Sequence, residues 1–223
     1  MKIAVLVCGH YRDFDYAVKS WDNILSFDFY FSTWNISSHN TNKWTYKTED
    51  VEIHESMIKD YIPHAVVDIM DVHTQYGNMI GHWKNALRLC RDSNIIYDKL
   101  IVIRPDLFIK LNVDAVNQSY NEPNTLYCRG NGDDWFEDMF FMGPRDSVET
   151  FIDALQLNDA DCDPHRKLSA KMKLLGLVHK PMYGDLEFSI LRPNIKLISR
   201  DRVDLYVART FEDYFNLVYG RHG

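Results

Sequence analysis

Cysteine is scarce in this 223-residue chain: Cys8, Cys90, Cys128 and Cys162, with no C-x-x-C pair. Four scattered thiols cannot make a disulfide scaffold and point to reduced, mostly buried side chains in a cytoplasmic protein. Long apolar runs are missing too; nothing approaches the ~20 residues that cross a bilayer. The run after Lys2, Ile3 to Cys8, has the length of a strand and not of a signal peptide. Positive charge is in the minority, with 25 Lys and Arg against 32 Asp and Glu and a net charge of −7, which excludes a general nucleic-acid-binding face. A local basic pocket for one phosphorylated ligand is compatible with that balance. Neither G-x-G-x-x-G nor G-x-x-x-x-G-K-[ST] occurs, so the dinucleotide and P-loop readings lack their signatures. His64, His73, His82, His165 and His179 show no H-x₃-H spacing of the kind that holds zinc.

What is present is an alternation of short apolar runs and helical patterns. Ile3–Cys8, 28–33, 65–70 and 100–103 are predicted strands. Helices are predicted over 14–26, where Phe14, Ala17, Val18, Trp21, Ile24 and Leu25 share one face, over 54–62 before Pro63, and over 78–92. Such alternation predicts an α/β fold with a largely parallel sheet flanked by helices. Residues 35–50 are polar and predict a loop that closes over a ligand. Beyond residue 110 the pattern shortens, with strands predicted at 125–129, 139–143, 195–199 and 203–207 and helices near 145–157 and 166–175. No linker or internal repeat interrupts the chain, and its length suits one domain over 1–223.

The stretch Leu100-Ile101-Val102-Ile103-Arg104-Pro105-Asp106 carries the most information. Pro105 cannot donate to a sheet ladder, so the strand stops there and Asp106 lies just past its carboxyl end. In open α/β sheets ligands bind at that edge. A carboxylate there can hold Mg²⁺ or Mn²⁺, and the ion can hold phosphate oxygens; a turn aspartate that caps its own backbone is the bland reading. Gly9-His10-Tyr11-Arg12 ends the first strand in the same way. Gly9 permits a sharp turn or close approach, Tyr11 could pack on a nucleobase, and Arg12 offers a fork of donors to phosphate; a surface arginine in a plain turn is the alternative.

A second cluster, Gly130-Asn131-Gly132-Asp133-Asp134-Trp135-Phe136-Glu137-Asp138, puts four carboxylates within six residues. Like charges this close need a solvated loop, a cation or a substrate. Trp135 beside Asp133 and Asp134 suits a sugar, the ring covering its apolar face while carboxylates accept hydroxyl protons. Glu137 or Asp138 could act as a general base. Lys84 and Arg88, one turn apart, are either a phosphate-facing pair or a solvated helix face. His179 either completes a metal shell or is an ordinary histidine. The D-x-D strings Asp13-Phe14-Asp15 and Asp161-Cys162-Asp163 follow no apolar strand and are not read as metal sites.

Taken in order, these pieces resemble a nucleotide-sugar glycosyltransferase of the GT-A fold, of the small bacterial, phage and large-virus type that builds surface polysaccharide. The resemblance rests on the turn Gly9 to Arg12, Ser32-Thr33-Trp34, Lys84-Asn85, Arg104-Pro105-Asp106 and Trp135-Phe136-Glu137-Asp138. It covers residues 1–145 and weakens afterwards. It implies a GT-A-like (Rossmann-like) domain with a nucleotide-binding half, 1–110, and an acceptor-side half, 111–223. It further implies transfer of a sugar from a nucleoside-diphosphate donor, UDP-linked for preference, to a glycan or other hydroxyl acceptor. Gly9, Tyr11, Arg12, Lys84, Arg104 and Asp106 would bind the donor, and Asp133, Asp134 and Trp135 the sugar or acceptor. Glu137 or Asp138 would be the base, and Asp106 with His179 would hold Mn²⁺ or Mg²⁺. Arg104 stands where the metal motif of such enzymes has its first aspartate. Two alternatives belong to other classes: a nucleotidyltransferase that makes nucleotide sugars, and a non-catalytic module that binds glycans or a partner protein.

Overall fold

The computed structural model describes residues 1–12, 14–36, 51–71, 78–128, 136, 138–160, 164–182 and 185–190. Its centre is β1 (Ile3–Cys8), every residue of which is buried. Ile3, Val5 and Val7 face one apolar cluster and Ala4, Leu6 and Cys8 the other. A strand buried on both faces reads as an unbroken apolar run, because alternation marks only a sheet with one wet face.

The chain leaves β1 through α1 (Phe14–Ala17) and a 3₁₀ turn, Val18–Ser20, and returns as β2 (Asp28–Trp34), parallel to β1. Next come α2 (Glu55–Lys59), β3 (Val66–Met70) and α3 (Met79–Asp92). Asn78 caps α3 by accepting from the backbone N–H of Ile80 and Gly81 at 3.0 and 3.2 Å. β4 (Lys99–Ile103) then pairs parallel with the other side of β1. Lys99 is buried in β4, where its ammonium donates to the carbonyls of Val116 and Ser119, and burial lowers its pKa.

After β4 the chain forms β5 (Leu107–Leu111), α4 (Val113–Gln118), β6 (Thr125–Cys128), β7 (Phe140–Pro144), α5 (Arg145–Ala154), α6 (Pro164–Leu174), β8 (Val178–Pro181) and β9 (Leu186–Ile190). Seven strands make the main sheet in the order β3-β2-β1-β4-β7-β6-β8, while β5 and β9 pair separately. β7 runs antiparallel to both neighbours, and β6 and β8 restore the direction of β4. The sheet is therefore mixed and mostly parallel, with helices on its faces, as the alternation of runs predicts.

Three expectations are corrected. The helix predicted over 14–26 breaks after one turn. Trp21 Nε1 donates to the Leu107 carbonyl at 2.8 Å, and Ser20 Oγ accepts from the Ile109 N–H at 3.0 Å. These anchors pull the segment into successive tight turns while Phe14, Val18, Trp21 and Ile24 keep their places in the core. The helix predicted over 54–62 contracts to α2. Elements β5, α4, β8 and β9 have no counterpart among the expectations. The strands predicted at 195–199 and 203–207, and most of the polar 35–50 segment, lie outside the described residues. Among the described residues no helix is long and apolar enough to cross a membrane, and Cys8, Cys90 and Cys128 are free, buried thiols.

Candidate nucleotide site at the carboxyl edge of the sheet

The order β3-β2-β1-β4 makes the gap between β1 and β4 a switch point: the chain winds outward from β1 through β2 and β3, then crosses back to β4. Open α/β sheets bind ligands in the crevice beyond the carboxyl ends at such a point. Two turns flank it here. Gly9 ends β1 with φ 122°, a conformation that costs little only without a Cβ, and its N–H donates to the Ser32 carbonyl at 3.0 Å. Pro105, at the end of β4, lies against Gly9; a Cβ added there would stand 3.9 Å from the proline Cδ. The two strand ends thus close on one another.

A three-residue ion cluster bridges them. Arg12 Nη1 donates to Asp106 Oδ2 at 3.1 Å, Arg104 Nη2 to the same oxygen at 2.6 Å, and Arg104 Nε to Oδ1 at 2.9 Å. The Asp106 side chain is 1% exposed, while those of Arg12 and Arg104 are 24% and 21% exposed. Burial alone would push the Asp106 carboxyl up in pKa. Arg104 and Arg12 outweigh it and hold the group below the ordinary carboxylate range. Arg12 sits at φ 41°, an unusual conformation for a residue with a Cβ. The arrangement is a buried anion carrying two cations to the edge of the sheet, with net charge +1.

The acidic cluster meets the same edge. Phe140 pairs with Ile103, and the Arg104 N–H donates to the Met139 carbonyl at 3.2 Å, so Asp138 is one residue from a direct backbone contact with the Arg-Pro-Asp turn. Asp138 is partly buried, with Oδ1 3.7 Å from His165 Nδ1. His165, in the first turn of α6, donates from Nδ1 to the Phe136 carbonyl at 2.8 Å. Phe136 itself is a core residue, packed on Phe141 and Phe151.

Of the expected site residues, the structure brings together Gly9, Arg12, Arg104 and Asp106, with Asp138 close by. Asp133, Asp134, Trp135 and Glu137 lie outside the described residues. Tyr11, expected to pack on a nucleobase, is 2% exposed, stacks at a tilt on Phe14 and donates to Asp15; it supports the turn from beneath. Lys84 does not join the group, since its Nζ donates to the Asp153 carbonyl at 3.2 Å at the end of α5. Arg88 pairs with Asp68 and Asp92 along the helix flank. His179 is on β8, three strands from β4, or roughly 14 Å at the usual ~4.8 Å strand spacing, too far to share an ion with Asp106. The Arg12–Asp106 pair spans 94 residues of sequence. Its signal was that both residues follow the ends of parallel strands.

The residues present do not fit the expected Mn²⁺ or Mg²⁺. Both oxygens of Asp106 already accept from guanidinium groups, and among the described residues no three His, Cys, Asp or Glu side chains are grouped to hold an ion.

No family model matches the chain, and no curated protein matches it. Solved structures do. It is similar to a nucleoside-diphosphate-sugar pyrophosphorylase from Vibrio cholerae RC9, at 12% identity and a TM-score of 0.43 over 82% of this chain and 93% of that one. It is also similar to a Bacillus anthracis protein with a provisional glucose-1-phosphate thymidylyltransferase assignment, solved with a sucrose (10%, 0.46, 85% and 89%), and to HddC from Yersinia pseudotuberculosis (15%, 0.48, 97% of each). The first two names describe nucleotidyl transfer, the alternative to glycosyl transfer. At this identity and TM-score neither activity follows from them.

Proposed function

We propose that this chain is a nucleotide-sugar transferase that binds a nucleoside-diphosphate sugar across the ends of β1 and β4 and passes its glycosyl group to a hydroxyl acceptor. One observation carries the binding half: two guanidinium groups fixed at the switch point by one buried carboxylate. Guanidinium forks match phosphate oxygens in geometry and in charge. The transfer half rests on the resemblance in residues 1–145.

In the proposed reaction an acceptor O–H attacks the anomeric carbon. The bond from that carbon to the phosphate oxygen breaks, the diphosphate departs with the electron pair, and the hydroxyl proton passes to a carboxylate. Asp138 is the described carboxylate placed for that task, with Glu137 its sequence neighbour. Arg12 and Arg104 would offset the charge gathering on the departing diphosphate, which is where preorganised donors accelerate a reaction. UDP is the donor nucleotide we favour, as the resemblance implies.

Nucleotidyl transfer is the second reading. The turn after β1 combines one positive-φ glycine with one cation, a reduced form of the Gly-rich basic loop that such enzymes carry there. The products separate the two. Incubation with UDP-, GDP-, CDP- and ADP-sugars, followed by phosphorus NMR, is expected to show release of a nucleoside diphosphate when acceptor is added. Pyrophosphate release from a nucleoside triphosphate plus a sugar 1-phosphate, with no turnover of any nucleotide sugar to diphosphate, would replace glycosyl transfer by nucleotidyl transfer.

A further inference from the structure

We infer that the diphosphate site between β1 and β4 works without a divalent cation: Arg12 and Arg104 take up the phosphate charge, and Asp106 is the residue that positions both of them. The inference rests on the nucleotide-sugar reading above and departs from the metal-bridged donor that the resemblance implies.

Three observations carry it. First, a carboxylate that ligates an ion must offer it lone pairs and a path from water. Asp106 is 1% exposed and accepts three hydrogen bonds, spread over both oxygens. A carboxylate has about four acceptor positions, so one is left, and it is not in solvent. Second, the cluster already has net charge +1. A divalent ion brought within ~4 Å of a guanidinium meets a repulsion of about 4 kcal/mol per unit charge at the effective dielectric of a protein surface. A diphosphate at the same place is attracted by the same amount. The cluster is thus complementary to an anion and hostile to a cation.

Third, the exposure runs in the right direction. The carboxylate is sealed beneath, while part of each guanidinium reaches solvent. Arg104 presents Nε and Nη2 to Asp106 in the forked geometry that fixes the plane of its head group. Arg12 is held by its single bond to Asp106 and by a left-handed backbone. A non-glycine residue keeps that conformation where the surrounding structure imposes it. Two planar cations held by one shared anion form a preorganised oxyanion clamp, which is what a leaving diphosphate needs. The Asp106 carboxyl, held ionised by its partners, stays negative throughout the neutral range.

The test is calorimetric titration of UDP, GDP, CDP and ADP into the full chain, once in EDTA and once in Mn²⁺. The inference predicts that the nucleotide that binds does so with a Kd in EDTA within about threefold of its value in Mn²⁺, a difference below 1 kcal/mol. Binding in Mn²⁺ that weakens tenfold or more in EDTA would overturn the inference and leave the nucleotide site standing. Binding of no nucleotide in either condition would remove the site and the inference with it. Asp106→Asn supplies a second readout. As a positioning residue its loss weakens binding equally in EDTA and Mn²⁺; as an ion ligand its loss is confined to Mn²⁺. A variant that fails to fold leaves the comparison on the unaltered protein decisive.

Discussion

At the scale of single residues, burial makes two side chains near the carboxyl edge sensitive to acid. His82, on α3, is 1% exposed. Its Nδ1 is 2.9 Å from Ser32 Oγ, and its ring stands perpendicular to that of Trp34 at 4.5 Å. Its Nε2 has no hydrogen-bond partner, so protonation would bury a charge with nothing to receive it. Burial lowers its pKa to about 4, against a smaller opposing pull from Asp68. The unfolded chain takes up the proton near pH 6.5 and the folded chain only near pH 4, so the stabilisation is complete above the first value and is lost as pH falls toward the second. The shift corresponds to about 3 kcal/mol. Urea unfolding is expected to show stability declining across that window, with a flatter decline in His82→Asn, which keeps a side-chain donor and acceptor near Ser32. Equal slopes in the two proteins would contradict the assignment. Asp106 acts lower: its depressed pKa contributes stability above the ordinary carboxylate range and loses it as pH falls further. The sequence showed the functional promise of Asp106 through Pro105 and the strand before it. It could not show that Arg104 and Arg12 saturate the carboxylate, because that depends on two turns 94 residues apart meeting in space. Nor could it show that Tyr11 turns inward, since a tyrosine beside a glycine turn is equally at home against a base or against Phe14.

At the scale of elements, the apolar patterns mark what is buried better than they mark what is helical. The spacing over 14–26 identified core residues correctly, yet the segment is one helical turn followed by tight turns, because Trp21 and Ser20 bond across to the Leu107–Leu111 strand. That strand was itself hidden by its closeness to β4; three residues separate the two, too few to register as a second element in a run of apolar side chains. β8 and β9 are short, and their partners decide them. Gly143 makes one element-scale consequence testable. It sits in β7, the antiparallel strand that carries the chain from β4 out to β6, and a Cβ there would stand 2.6 Å from the Thr125 carbonyl. That contact is with backbone, so the strands must separate. Gly143→Ala is expected to destabilise the protein by about 1–3 kcal/mol in chemical denaturation. A change within ~0.5 kcal/mol, the range of ordinary surface substitutions, would mean that β6 and β7 yield without cost.

At the scale of the whole molecule, the order of strands does the functional placing. Alternation of strand and helix in the first half made a largely parallel sheet legible, and with it the rule that ligands gather at carboxyl ends. The position of β4 beside β1, which makes the switch point, is a topological fact that no local pattern contains. It brings Gly9, Arg12, Arg104 and Asp106 to one crevice, sets Asp138 next to it, and leaves Lys84 and His179 elsewhere. The separation of His179 and the saturation of Asp106 have one consequence: the cations available at this edge, among the described residues, are side chains.

The most direct test of the account is therefore the loss of those side chains together. Arg12→Gln/Arg104→Gln keeps polar heads at both positions while removing both charges. Titrated with the nucleoside diphosphate that binds the unaltered protein, the double variant is expected to bind at least about 100-fold more weakly, or about 3 kcal/mol, in line with losing two charge-assisted contacts, while its circular dichroism remains that of a folded α/β protein. Undiminished binding by a folded double variant would place the nucleotide elsewhere and contradict the account.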